Sequence, residues 1–135
     1  MIYTTFFKGI NNKLIHPTGP KIIMYKKNDK NRIFFYMCLF SIGKITAEEF
    51  CDDFYECYDI LGEMEFTQQE DEVLNNLSDL YVGRYTPYES DRTQFPDSFI
   101  DDIELKKGVN MAITSLKGSL MGVAQDMQEI LSLCK

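Results

Sequence analysis

Twice in this chain a threonine is followed, three residues on, by a glutamate, and then by apolar side chains at helical spacing. Thr46 with Glu49 opens the first stretch, and Thr67 with Glu70 opens the second. In this pattern the hydroxyl and the carboxylate each satisfy a backbone N–H that the first helical turn leaves open, so the helix start is fixed locally. Behind Thr46, residues Phe50, Phe54, Cys57, Tyr58 and Leu61 recur at intervals of three and four, and Gly62 closes the stretch. Behind Thr67, residues Val73, Leu74, Leu77, Leu80 and Tyr81 do the same until helical signals fade near Gly83. Two capped helices with one apolar stripe each must bury those stripes against further helices.

The rest of the chain supplies them. Residues 29 to 42 read as a helix whose Ile33, Phe34, Met37, Leu39 and Phe40 crowd more than one face, so it should be central and well buried, ending at Gly43. A fourth helix starts near Asp101 with Glu104 three residues on and carries Leu105, Val109, Ala112, Ile113 and Leu116, broken at Gly118. A fifth follows with Leu120, Ala124, Met127, Leu131 and Cys134 on one side. Residues 83 to 100 form the one long connection, and a loop of that length inside a compact domain is usually functional or packed by its own side chains. Residues 1 to 28 are rich in β-formers and turn residues and read as a small hairpin or extended arm. The expectation is an all-α fold: an antiparallel bundle of four to five helices over residues 29 to 135, with an N-terminal arm or hairpin over 1 to 28, in a single globular domain.

The four cysteines, Cys38, Cys51, Cys57 and Cys134, form no C-x-x-C pair, and only His16 could join them at a metal. They read as reduced, buried thiols of a cytoplasmic protein. The start lacks the basic and apolar regions of a signal peptide, and the longest apolar run, 33 to 42, is too short to span a bilayer. Catalysis finds little support. His16 is the only histidine, nothing local activates a thiol, and no glycine-rich phosphate loop, G-x-S-x-G or H-E-x-x-H occurs. Asp52-Asp53 and Asp101-Asp102 fall on helices where neighbours diverge, and capping explains Asp101. No catalytic residue, metal or cofactor is expected.

Charge is distributed unevenly. Residues 46 to 104 hold 18 Asp and Glu against only Arg84 and Arg92, a balance of -16; residues 1 to 45 carry +7 and the last 31 carry +2, for a net -7. Such a region repels nucleic acid and attracts a basic protein surface. On the second helix, opposite the core stripe, lie Glu48, Asp52, Glu56, Asp59 and Glu63, one carboxylate per turn, with Tyr55 beside them. Like charges at this spacing cost an isolated helix roughly 0.2–0.5 kcal/mol per pair, and no Lys or Arg interrupts the line. The functional reading is a phosphate-like ladder that enters the basic cleft of a nucleic-acid enzyme; the plain reading is a solvated acidic face. Asp79 and the loop residues Glu89 and Asp91 extend the candidate surface, whereas Asp71 and Glu72 sit in a first turn that welcomes them. Arg84 and Arg92 are expected to pin the long loop by fork-shaped pairing. The N-terminal cations (Lys8, Lys13, Lys21, Lys26, Lys27, Lys30, Arg32) are too spread out for a nucleic-acid tail and read as facing the chain's own acidic region or solvent.

The segment Gly43-Lys44-Ile45-Thr46-Ala47-Glu48-Glu49-Phe50 resembles the G-x-I-[ST]-A-x-E-F opening of the colicin D immunity family of bacterial self-protection proteins. Glu72-Val73-Leu74 with Leu77 fits that family's third-helix stripe, and Asp91-Arg92, Phe99-Ile100-Asp101-Asp102 and Glu104-Leu105 look like its loop and last capped helix. The resemblance covers about residues 30 to 117; residues 1 to 28 and the fifth helix are extra. It implies a small helical bundle that binds the C-terminal nuclease domain of a cognate toxin, typically a tRNA-cleaving RNase, and blocks its active site. Similar proteins accompany contact-dependent growth inhibition toxins. The acidic stripe Asp52, Glu56, Asp59 and Glu63, with Tyr55 beside it, comes from spacing and not from the family pattern, and Asp79, Glu89 and Asp91 join it because loops carry specificity. The alternative class is a helical adaptor or regulatory binding module with no nuclease partner.

Overall fold

The computed structural model describes residues 6–7, 14–15, 22–23, 25–26, 29–58 and 65–133. Helix α1 spans Asn31–Ser41, α2 Ala47–Tyr58, α3 Gln68–Leu80, α4 Glu89–Gln94, α5 Asp102–Ser115 and α6 Lys117–Leu133, with a single 3-10 turn at Val82–Arg84. The fold is all-α, as the periodicity requires. Ahead of the helices, strands β1 (Phe6–Phe7), β2 (Leu14–Ile15) and β3 (Ile22–Ile23) pair antiparallel in the order β1-β2-β3, with Phe6 opposite Ile15 and Leu14 opposite Ile23.

Helix α1 holds the centre. It buries Arg32, Ile33, Phe34, Phe35, Tyr36, Met37 and Phe40, seven of its eleven residues, and packs against α2, α5 and α6. Only Ile33 among them is β-branched, so the helix carries little propensity penalty. The Asp29 carboxylate accepts from the Asn31 amide at 2.9 Å at one end. At the other, Gly43 adopts φ 79°, its amide donates to Phe40 O, and the Lys44 amide donates to Leu39 O. This pair of bonds satisfies the carbonyls that a helix end leaves open, and only glycine takes that φ without strain. The core then fills with rings: Phe40 stacks on Phe50 at 5.1 Å, Phe50 meets Phe54 at 5.9 Å and Phe34 meets Phe66 edge-on at 6.4 Å.

Both capping boxes form. The Thr46 amide donates to Glu49 Oε1 at 3.0 Å and the Glu49 amide to Thr46 Oγ1 at 3.1 Å. The Thr67 amide donates to Glu70 Oε1 at 2.9 Å and the Glu70 amide to Thr67 Oγ1 at 3.1 Å. Glu70 does more: it is buried, and the same Oε1 accepts from Lys30 Nζ at 2.9 Å, tying the start of α3 to the start of α1. Burial alone would raise its carboxyl. Hydrogen bonds from Ser119, the Thr67 amide and Lys30 outweigh burial and hold it below the ordinary carboxylate range.

Three expectations need correction. The stretch 83 to 100 is not plain loop: Tyr85 and Ile100 form a parallel bridge, and α4 lies between them. The break between α5 and α6 falls at Leu116 and not at Gly118, because the Leu116 amide closes back on Ala112 O and Ile113 O before α6 starts at Lys117. On α6 the inward positions are Leu120, Val123 and Met127; Ala124 is exposed, since the helix re-registers after that earlier break. Leu61, Gly62 and Cys134 lie outside the described residues.

Candidate functional site

The inward face of α2 sets its outward one. Ala47, Phe50, Cys51, Phe54 and Cys57 are buried, so Glu48 and Asp52 stand in solvent and Glu56 is half-buried at their edge. Asp59 and Glu63, expected to continue the row, lie outside the described residues. Tyr55 is 43% exposed, with its ring edge-on to Phe54 at 6.2 Å. Its hydroxyl lies against Gly83, where a Cβ would sit 3.7 Å from it. The face of α2 is thereby continuous with the 3-10 turn after α3.

Helix packing adds a carboxylate that spacing along one helix could not reveal. Cys51 has its thiol pushed up to about 12, first by burial and then by Asp52, Asp102 and Glu48. Cys51 is buried on the helix that packs against α5, and all three carboxylates, two on α2 and one in the first turn of α5, are near enough to add to that rise. Tyr85, at the head of the bridged segment, hydrogen-bonds Asp102; burial first, then that bond, raises its hydroxyl. The exposed patch thus comprises Glu48, Asp52 and Asp102, with Tyr55 and Glu56 along its border. Asp102 is absent from the sequence-based set because only the contact of α2 with α5 brings it there.

The remaining candidates separate. Asp79 is exposed near the end of α3, and among the described residues no hydrogen bond or ion pair joins it to the patch. Glu89 is exposed in the first turn of α4. Asp91 has an internal role: half-buried, it accepts from Thr86 Oγ1 at 3.0 Å. The arginines do pin this segment, through backbone carbonyls instead of carboxylates. Arg84 Nε and Nη2 donate to Ser98 O at 3.2 Å and Asp97 O at 2.8 Å, and Arg92 Nη1 donates to Thr86 O at 2.7 Å. The fork of donors suits this use because two carbonyls of one turn present parallel acceptors. Tyr88 and Phe95 are held outward on the strapped segment, 66% and 55% exposed.

Asp53, adjacent to Asp52 in sequence, faces the opposite way. It is 1% exposed, and neither carboxylate oxygen finds a hydrogen bond among the described residues. Burial pushes its carboxyl up to about 7, against the pull of Arg32. Arg32 is itself buried, lies 5.3 Å from the Tyr36 ring centroid, donates to Tyr25 O at 3.2 Å and hydrogen-bonds Cys57. So Lys30 and Arg32, two of the N-terminal cations, do face acidic residues of the chain: Glu70 and Asp53.

The described thiols are poor nucleophiles. Cys38 and Cys57 are pushed up to about 11, both chiefly by burial. His16 lies outside the described residues. Among the described residues no group of three His, Cys, Asp or Glu could hold a metal ion, and no helix is long and apolar enough to cross a membrane. What the patch offers chemically is a fixed array of negative charge with an aromatic at its edge, suited to cationic groups. No protein-family model, no curated protein and no solved structure matches the chain.

Proposed function

We propose that this chain is an immunity protein. It binds the C-terminal nuclease domain of a cognate bacterial toxin, a tRNA-cleaving RNase, and blocks the basic cleft through which that domain holds RNA. The chain acts by occupancy and carries no catalysis of its own. The observation that carries this reading is the unmixed run of carboxylates on the outward face of α2, Glu48, Asp52 and Glu56, enlarged by Asp102. Like charges so close together oppose folding, so their retention on a helix whose other side is fully packed favours a use outside the molecule. The resemblance of residues 43 to 50 and of the α3 and α5 starts to the colicin D immunity family supplies the class of partner. Tyr55, half-exposed between charges, fits the role of an anchor that loses little entropy on binding.

The test uses the nuclease domain of the toxin encoded beside this chain, with binding followed by calorimetry and protection followed as RNA cleavage. Asp52→Lys with Glu56→Lys should leave the fold intact and weaken binding at least ~100-fold, since the reversed charges would then face cations. Tyr55→Ala should weaken binding by ~10-fold or more. A double reversal that folds and protects as well as the parent would remove this face from the account. Failure of the parent to bind that domain would remove the immunity reading and leave a helical adaptor.

A further inference from the structure

The acidic patch ends where a surface of opposite sign begins. The outward side of α5 carries Ile103, Lys106, Lys107, Asn110 and Met111 along an open groove of about 720 Å³. The end of α1 forms one border, with Lys106 Nζ 5.3 Å from the Phe40 ring centroid and Ser41 Oγ hydrogen-bonded to Asn110 Oδ1 at 2.6 Å. Tyr81 forms the other, its hydroxyl 4.0 Å from Met111 Sδ. Ile103 is 75% exposed and Met111 55%. Among the described residues, neither Lys106 nor Lys107 has a carboxylate within ion-pair distance. Most other described cations are engaged: Lys30 by Glu70, Arg84 and Arg92 by carbonyls, and Arg32 in the core.

Asp102 lies one helical turn before Lys106, and α2, which carries Glu48 and Asp52 outward, packs against α5, so an acidic area borders the basic one. Ile103 stands beside Asp102 in the first turn of α5, one turn ahead of Lys106 and Lys107, and lines the groove with them. A surface that is acidic on one side, basic on the other and apolar at the boundary complements itself under a two-fold rotation. Turning a second copy about an axis through the boundary lays acid over base twice and brings the two Ile103 side chains together.

We propose that this surface is a two-fold self-association site, with a second copy of this chain as its occupant. Lys106 and Lys107 of each copy meet Glu48, Asp52 and Asp102 of the other, and Ile103 packs on its own symmetry mate. The charge complementarity that selects this occupant is written entirely within the chain. A net charge of -7 opposes association elsewhere on the surface, which restricts contact to the one place where the signs alternate. The contact is small, so the dimer is weak and strongly salt-dependent.

The experiment is sedimentation velocity of the full chain over a wide concentration range at low and high salt. The expected result is a monomer–dimer equilibrium at low salt that shifts to monomer at high salt. Ile103→Ser, and separately Lys106→Glu with Lys107→Glu, should each raise the dissociation constant at least ~10-fold while circular dichroism stays unchanged. A chain carrying Glu48→Lys and Asp52→Lys should also be monomeric, and mixing it with the lysine-reversed chain should give a heterodimer. A parent that stays monomeric at low salt, a dimer insensitive to these reversals, open assemblies that grow with concentration, or a mixture that stays monomeric would each overturn the proposal. Glu48, Asp52 and Asp102 serve both contacts, so toxin binding is measured separately, with the parent chain in high salt where it is monomeric; loss of the dimer with toxin binding kept removes only this inference, and the reverse removes only the immunity function.

Discussion

Asp53 places a carboxyl in the core with no hydrogen bond from any described residue, and its sign of action is opposite to that of an ordinary surface carboxylate. Its carboxyl is raised to about 7 in the fold, against about 4 in an unfolded chain. Between those two values the folded state keeps a proton that the unfolded state has lost. The stability contributed is therefore fully present below about pH 4 and is lost as pH rises through about 7, with a total effect of a few kcal/mol. Urea unfolding from pH 4 to 8 should show this decline, and Asp53→Asn should flatten it. A parent whose stability rises steadily across that range would contradict the placement. The position was legible after the fact: 50, 53, 54 and 57 share one helical face, so Asp53 belongs to the core side by spacing alone, but its charge argues for the other side. Gly108 makes a second demand at this scale. A Cβ there would come within 2.4 Å of the Tyr81 ring, against ring atoms close to the backbone. Overpacking of that kind costs about 1–3 kcal/mol, more than the ~1 kcal/mol that alanine gains in a helix. Gly108→Ala should therefore lower the melting temperature despite improving helix propensity.

At the scale of elements, the starts of α2, α3 and α5 were readable because the caps that fix them lie within four residues. Thr46 with Glu49, Thr67 with Glu70 and Asp101 with the Glu104 amide all form as the spacing requires. The segment from 84 to 100 was not, because its order depends on a bridge between Tyr85 and Ile100 and on Arg84 reaching carbonyls more than ten residues away. Composition signalled a loop there, and a hexamer as short as α4 has too few apolar positions to announce itself. The strap makes a testable claim. Arg84→Lys keeps the charge but cannot supply two parallel donors, so hydrogen exchange of amides at 85–99 should accelerate by about tenfold or more, while α1 and α5 amides stay protected. Equal exchange in parent and variant would mean that the bridge alone orders the segment.

Across the whole molecule, charge and packing are divided between layers. The interior is a ring-filled core built around α1, while carboxylates line the outward face of α2 and the first turn of α5, and cations follow on α5. The charge imbalance was visible in the chain, but its grouping was not, since Asp102 joins Glu48 and Asp52 only through the contact of α2 with α5. A whole-molecule prediction follows from the division. Association with a basic nuclease domain should slow by at least ~10-fold from low to near-physiological salt, whereas dissociation should change far less, because steering acts on encounter. A flat association rate would remove electrostatic steering. The all-round burial of α1 has a further consequence, for descent. Phe34, Phe35, Tyr36 and Met37 are all buried on the helix that packs against α2, α5 and α6, so substitutions there endanger the fold. Glu48, Asp52 and Tyr55 reach solvent from a helix whose hold on the core lies entirely on its other side. The outward residues of α2 can therefore change one at a time at little cost to the fold, while α1 is the axle that any such change must leave fixed.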